Sequence, residues 1–173
     1  DRSLTGLTAR EGGQNRASRM NFATLLKPGA VKVLTSASSK KRLLHDIGEL
    51  AHNAYGLDSS TVLDALLTRE SLGPTGVGEG VALPHARLDG LDQVLGAFVL
   101  LDKPIDFNAV DRKPVDIAFA LFAPESAGVE HLKALALVSR TLRNSSVCSK
   151  LRANPEPSTL YTILTEAHAS QAA

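Results

Sequence analysis

The chain has 173 residues, of which 43% are hydrophobic and 4% aromatic, and its formal net charge is +1. This length and composition predict one globular domain with an aliphatic core, and the balanced charge indicates no general affinity for nucleic acid or anionic lipid. No stretch approaches the roughly 18 consecutive apolar residues of a membrane span. The single cysteine, Cys148, excludes an internal disulfide framework and a cysteine metal cluster. These features predict a cytoplasmic protein.

The N-terminal segment differs in composition from the rest of the chain. Residues 1–19 are polar, rich in Gly, Ser and Arg, and without a sustained period, which predicts a flexible arm. Residues 20–173 then form the predicted domain. Residues 21–35 predict a short helical turn, a break at Pro28-Gly29 and a short strand.

Two helices follow in the predicted order. Apolar residues at three-to-four spacing predict a helix over Lys40–Tyr55, with the Ser38-Ser39 pair as cap and Gly56 as the stop. Asp58 or Ser59 is the expected cap of a second helix, which is expected to end near Arg69-Glu70.

Strands are predicted in the middle of the chain. Residues 80–83 predict a strand that delivers His85 to its end. The apolar runs at residues 94–101 and 115–122 are typical of strands buried on both faces. Residues 104–107 predict a short, edge-like segment.

Helices return towards the C-terminus. Ser126 is the expected cap of a helix over residues 127–143, and a short helix is predicted over residues 145–153. Pro157 opens the last helix, which is expected to reach about Ala167. The inward-facing residues of the first of these helices are expected to be Leu132, Leu135, Ala136 and Leu142. Strands that alternate with helices predict one three-layer α/β domain.

The stretch from Gly73 to Arg87 carries the strongest chemical signal. Its glycines allow backbone amides to approach a ligand closely, and His85 follows directly after Pro84. Neutral imidazole is a nitrogen nucleophile that is abundant near pH 7, so His85 is the candidate acceptor of a phosphoryl group. Amides and cations would have to stabilise the charge of that group. The candidate phosphoryl-binding residues are Thr75, Gly76, Gly78, Gly80 and Arg87, with Arg69 as a further cation.

Several familiar motifs are missing, which restricts the chemistry. The chain has no phosphate-binding lysine loop, no dinucleotide fingerprint, no nucleophile elbow and no paired-histidine zinc motif. No cofactor or metal is therefore predicted, and the phosphoryl group is expected to come from another protein. From the residues alone, a simple alternative stays open for each candidate. The glycine stretch can be only a turn, and His85, His131 at a helix start, or Arg69 at a helix end can be ordinary surface residues.

A longer pattern resembles a known family. The segment Thr75-Gly76-Val77-Gly78-Glu79-Gly80-Val81-Ala82-Leu83-Pro84-His85 is similar to the enzyme IIA proteins of the bacterial phosphotransferase system, in the fructose, mannitol and nitrogen-regulatory group. The similarity continues from about Met20 to the C-terminus. The other matching segments are Arg69-Glu70, Pro104-Ile105-Asp106-Phe107, Asp111 with Pro114-Val115-Asp116, and His131-Leu132 with Leu135-Ala136.

This resemblance implies a mechanism. In the family, the histidine that corresponds to His85 is phosphorylated by a histidine-phosphocarrier protein, the histidine that corresponds to His131 lies beside it, and the arginine that corresponds to Arg69 helps to hold the phosphoryl group. The family fold is a mixed sheet with helices on both faces. The resemblance thus implies a phosphotransferase component with a phosphohistidine intermediate and catalytic residues His85, His131 and Arg69.

The branch of the family is harder to assign. The segment from Asp111 to Asp116 is similar to the nitrogen-regulatory enzyme IIA, which implies regulatory partners such as potassium transporters or sensor kinases. The alternative is a sugar-specific subunit that passes phosphate to a IIB protein. Two weaker alternatives are a binding module without transfer and a zinc hydrolase built on His85, His131 and an acidic residue.

Overall fold

The computed structural model describes residues 20–172, with side chains described as far as Ala167. The predicted arm over residues 1–19 lies outside the described residues. The helices are α1 (Phe22–Leu25), α2 (Lys40–Tyr55), α3 (Ser59–Leu72), α4 (Val129–Leu142), α5 (Ser145–Ala153) and α6 (Pro157–Ala172). The strands are β1 (Leu26–Leu34), β2 (Gly76–Gly78), β3 (Val81–Ala82), β4 (His85–Leu88), β5 (Leu95–Ile105) and β6 (Val115–Pro124).

The two helices before the glycine stretch have the capping chemistry that the sequence predicts. The Ser39 side chain accepts a hydrogen bond from the Arg42 amide at 3.1 Å, and Gly56 ends α2 with a left-handed φ of 74°. Asp58 caps α3 in the same way, since its carboxylate accepts from the Thr61 amide at 3.0 Å. Helix α3 ends at Leu72, slightly beyond the predicted end, and so it carries Arg69 in its last turn.

The described strands form one mixed sheet in the order β1-β5-β6-β3-β2. Strands β1 and β5 are parallel, whereas β5 and β6 are antiparallel. Consecutive residues are buried along β5 and β6, and neighbouring side chains of a strand point to opposite faces of the sheet. Helices therefore cover both faces, and the predicted three-layer α/β fold is confirmed.

The edge of β6 that faces away from β5 carries two short strands in succession. Strand β3 pairs there in parallel with Val81 opposite Ile117, and β4 continues with His85 opposite Leu121. The strand predicted over residues 80–83 is present as β3 and ends before His85, but the prediction missed that His85 is itself the first residue of a further strand, β4. The reason is that Pro84, whose carbonyl accepts from the Leu121 amide at 3.0 Å, keeps the backbone in register with β6.

Two other predicted details differ from the structure. Strand β1 runs through Pro28-Gly29 instead of breaking there, and its pairing with β5 shifts register between Leu26 and Val31. This irregular pairing accommodates Pro28, which has no amide hydrogen to donate to a neighbouring strand. Strand β5 continues to Ile105, so the predicted short segment at residues 104–107 begins as the end of that strand.

Helix α4 begins later than predicted and presents a different face to the core. Gly128 takes the capping position without a side-chain hydrogen bond, so Ser126 is not the cap. Leu132 is 68% exposed, whereas His131 is only 7% exposed. The prediction that Leu132 and Ala136 face inward was wrong, because the sheet packs against the face of α4 that carries His131, Ala134 and Val138.

None of the helices in the described part of the chain is both long enough and apolar enough to cross a membrane.

Candidate functional site

The backbone around His85 fixes which ring nitrogen carries hydrogen. The Nδ1 atom of His85 lies 2.8 Å from the carbonyl oxygen of Leu83. A carbonyl oxygen can only accept a hydrogen bond, so Nδ1 is the donor. In the neutral ring, Nε2 then holds the free lone pair. The half-buried His85 side chain therefore has its nucleophilic atom on the side away from Leu83.

Arg69 contacts that nucleophilic atom. Its Nε donates a hydrogen bond to His85 Nε2 at 3.3 Å, and its Nη1 donates to the carbonyl oxygen of Gly73 at 2.8 Å. The second bond anchors the guanidinium at the C-terminal end of α3. A fixed positive charge therefore lies next to the atom that would receive a phosphoryl group.

His131 lies beside the same ring. The centroids of the His85 and His131 rings are 5.6 Å apart, with an angle of 70° between the ring planes. His131 Nε2 is buried and has no hydrogen-bond partner among the described residues. Burial lowers the pKa of His131 from its ordinary value of 6.5, and the nearby His85 and Arg87 lower it further. The ring is therefore neutral near pH 7 and has one unused polar atom.

The three side chains open into one cleft of about 590 Å³. Arg87 also lies there, and its Nη1 donates to the carbonyl oxygen of Glu125 at 3.0 Å. The full lining is Asp64, Ala65, Thr68, Arg69, Leu72, His85, Ala86, Arg87 and His131. This cleft thus combines two imidazoles and two guanidinium groups, a set suited to an anion such as phosphate.

Asp64 and Thr68 were not singled out from the sequence. Asp64, Thr68 and Leu72 follow one another at intervals of four along α3, so they share one face of the helix with the cleft. This four-residue spacing, on the same helix as Arg69, was the sequence signal that could have identified Asp64 and Thr68 as lining residues. It could be used only once the orientation of α3 towards His85 was known.

Of the predicted phosphoryl-binding residues, Arg87 lines this cleft, whereas Thr75, Gly76, Gly78 and Gly80 do not. Both the amide and the hydroxyl of Thr75 donate to the Glu70 carboxylate. A Cβ atom on Gly76 would lie 2.8 Å from the Cβ of Ala109, and one on Gly80 would lie 2.6 Å from Nη2 of Arg152. These glycines permit close packing of the loop, and their role as phosphoryl-binding amides stays a prediction.

Among the residues whose side chains the structure describes, no group of three or more His, Cys, Asp or Glu side chains is placed to hold a metal ion.

Acidification is expected to destabilise the fold through His131. Above about pH 6.5 the ring is neutral in both the folded and the unfolded chain. As the pH falls below that value, the unfolded chain gains the proton first, because the folded-state pKa is lowered. The free energy of unfolding therefore decreases. Urea unfolding at about pH 7.5 and about pH 5.5 should show a smaller decrease for His131→Gln than for the wild type.

The matched control for this titration is His52→Gln, at an exposed histidine of α2. An equal decrease in the wild type and in His131→Gln would contradict the assignment of the pH dependence to His131.

Comparison with known proteins adds independent information. The model of the family "Phosphoenolpyruvate-dependent sugar phosphotransferase system, EIIA 2" matches residues 24–167. The chain is 42% identical over 145 residues to a nitrogen regulatory protein of Bradyrhizobium diazoefficiens, covering 84% of this chain and 95% of the relative. It is 40% identical over 154 residues to a nitrogen regulatory protein of Klebsiella oxytoca, and the match covers 88% of this chain and 95% of that relative.

A solved structure shares the fold. The crystal structure of the nitrogen regulatory protein IIA-Ntr from Neisseria meningitidis superposes with a TM-score of 0.77 at 36% identity. The match covers 83% of this chain and 99% of that structure.

Proposed function

Because this chain belongs to the EIIA 2 family of the phosphoenolpyruvate-dependent sugar phosphotransferase system, we propose that it accepts a phosphoryl group on Nε2 of His85. The proposed donor is the phosphohistidine of a histidine-phosphocarrier protein. One observation carries the proposal: the hydrogen bond from Nδ1 to Leu83 leaves Nε2 as the lone-pair atom, and Arg69 lies against it.

The proposed step needs no proton transfer. The Nε2 lone pair attacks phosphorus, and the electrons of the breaking phosphorus–nitrogen bond return to the donor imidazole. The donor ring carries a hydrogen on its other nitrogen and so leaves as a neutral imidazole. Nδ1 of His85 keeps its hydrogen and its bond to Leu83. Phosphoryl transfer depends mainly on positioning and charge stabilisation, for which Arg69 and Arg87 supply cations and His131 a hydrogen bond from its unpaired Nε2.

The surface around the cleft supports a protein as donor. Leu72 is 80% exposed, Val129 is 65% exposed, and Leu132 is exposed as well. Leu72 lines the cleft, whereas Val129 and Leu132 flank His131 in the first turn of α4. Exposed apolar side chains that cluster beside a site are typical of protein–protein contact surfaces.

Similarity to nitrogen regulatory proteins supports a regulatory role for the phosphorylation. In this proposal a cytoplasmic protein changes its binding to targets, such as potassium transporters or sensor kinases, when His85 is phosphorylated. The alternative is a sugar-specific IIA subunit that hands the group to a IIB protein, which the sugar phosphotransferase description of the family favours.

The experiment is phosphorylation by a purified, phosphorylated carrier protein, with the adduct identified by ³¹P and ¹⁵N NMR. An acid-labile phosphohistidine at Nε2 of His85 is expected. No adduct, or an adduct at Nδ1, would overturn the proposal. Addition of a sugar-specific IIB protein then separates the two branches, because only a sugar-specific subunit should lose its phosphoryl group to that protein.

A further inference from the structure

A buried carboxylate lies beneath the site, in a place that the proposed chemistry does not use. The Glu70 side chain is 6% exposed and lies 2.6 Å from the ammonium group of Lys40. It also accepts hydrogen bonds from the amide of Thr75, at 3.2 Å, and from the Thr75 hydroxyl. The Nζ atom of Lys40 in turn lies 4.7 Å from the centroid of the Phe107 ring. It also donates a hydrogen bond to the backbone carbonyl oxygen of Phe107 at 3.4 Å. A buried carboxylate is tolerated only with partners of this kind.

Hydrogen bonds connect this carboxylate to the imidazole of His85. The carbonyl oxygen of Thr75 accepts from the amide of Leu83 at 2.9 Å. The carbonyl oxygen of Leu83 then accepts from Nδ1 of His85 at 2.8 Å. The hydrogen bonds to Glu70 therefore fix the position of Thr75, and the carbonyl of Thr75 fixes the backbone at Leu83. The carbonyl of Leu83 in turn sets the tautomer and the orientation of the His85 ring.

Glu70 also helps to fix the turn on which Arg69, the cation of the site, is anchored. Arg69 precedes Glu70 on α3, and its Nη1 is anchored on the carbonyl oxygen of Gly73. Glu70 fastens the chain at Thr75, two residues beyond Gly73. The turn that presents this carbonyl to Arg69 is therefore closed by the contacts of Glu70.

We propose that Glu70 is a positioning residue that sets the placement of the His85 imidazole against the Arg69 guanidinium. The inference rests on the proposed function, because it names what keeps the acceptor atom ready for transfer. Glu70 does not line the cleft and does not contact the transferred group. Its effect passes through Thr75 and Leu83 on one side and through the end of α3 on the other.

The test combines four variants with two measurements. Glu70→Ala removes the link and Thr75→Val removes the hydroxyl bond while keeping the amide bond, whereas Thr75→Ser keeps both donors. Asp58→Ala removes the cap at the opposite end of the same helix and so serves as the control for general loosening of α3. The measurements are the His85 tautomer, from ¹H–¹⁵N NMR of the imidazole, and kcat and KM for the phosphorylated carrier protein.

The expected pattern separates positioning from stability. Glu70→Ala and Thr75→Val should lower kcat by about 10- to 100-fold with little change in KM, since misplacement of reacting groups affects the step and not the docking. Their His85 spectra should change from the Nδ1–H form to a mixture of tautomers. Thr75→Ser and Asp58→Ala should keep the wild-type tautomer and a kcat close to that of the wild type.

Two results would overturn the inference. One is a wild-type tautomer and kcat in both Glu70→Ala and Thr75→Val. The other is an equal loss in Asp58→Ala, which would attribute the effect to general destabilisation. Failure of the proposed function is a different outcome, because the wild-type protein itself would then not be phosphorylated. The tautomer measurement would still decide whether Glu70 positions the His85 ring.

Discussion

Replacement of His85 by alanine is expected to reduce phosphorylation by a phosphorylated carrier protein by at least about 1000-fold, because no other group can supply the attacking lone pair at that position. His131 cannot take over, since its ring centroid lies 5.6 Å from that of His85 and its side chain is almost completely buried. Transfer of ³²P from the labelled carrier, followed in time and stopped in alkali, measures the rate.

The control for this substitution is His45→Ala, at a partly exposed histidine of α2 outside the cleft. It should retain the wild-type rate. A circular dichroism spectrum and a melting temperature verify that His85→Ala is folded. Labelling of folded His85→Ala at the wild-type rate would contradict the assignment of His85 as the acceptor.

Replacement of Arg69 by glutamine is expected to lower kcat for the same transfer by about 100- to 1000-fold, the range found when one preorganised charge or donor is removed from a transition state. The guanidinium is anchored on Gly73 and already contacts His85 Nε2, so it is in place before the phosphoryl group arrives. Arg69→Lys should recover only part of the activity, because an ammonium group lacks the planar fork needed to contact Gly73 and the site together.

Arg140→Gln, at an exposed arginine of α4 that does not line the cleft, is the matched control and should behave like the wild type. Steady-state kinetics over a range of carrier concentrations separates kcat from KM. A change confined to KM would contradict this prediction, because it would assign Arg69 to docking of the carrier and not to stabilisation of the transferred group.

Helix bounds were the most predictable part of the fold. The predicted ranges Lys40–Tyr55 and Ser145–Ala153 match α2 and α5. Their ends depend on residues next to the helix, such as Ser39 at the start of α2 and Gly56 at its end, through hydrogen bonds and dihedral angles that are local in the chain.

The face of a helix was less predictable. In α4, hydrophobicity alone favoured Leu132 as an inward residue, but the structure buries His131 and exposes Leu132. The rotation of a helix depends on the elements that pack against it. Here the His131 imidazole is buried beside His85, on the face of α4 that packs against the sheet. The local hydrophobic pattern of α4 does not predict this orientation.

The sequence by itself determined the alternation of helices and strands and the apolar strands of the sheet centre, because these depend on local propensity and local capping. It also determined the three candidate residues His85, Arg69 and His131, because these belong to short runs of motif residues. Only the tertiary structure decided that β3 and β4 succeed each other along β6, that Leu83 fixes the tautomer of His85, and that Glu70 lies beneath the site. The physical reason is that these features are contacts between backbone and side-chain groups far apart in the chain, and their partners are chosen when the sheet and the helices pack together.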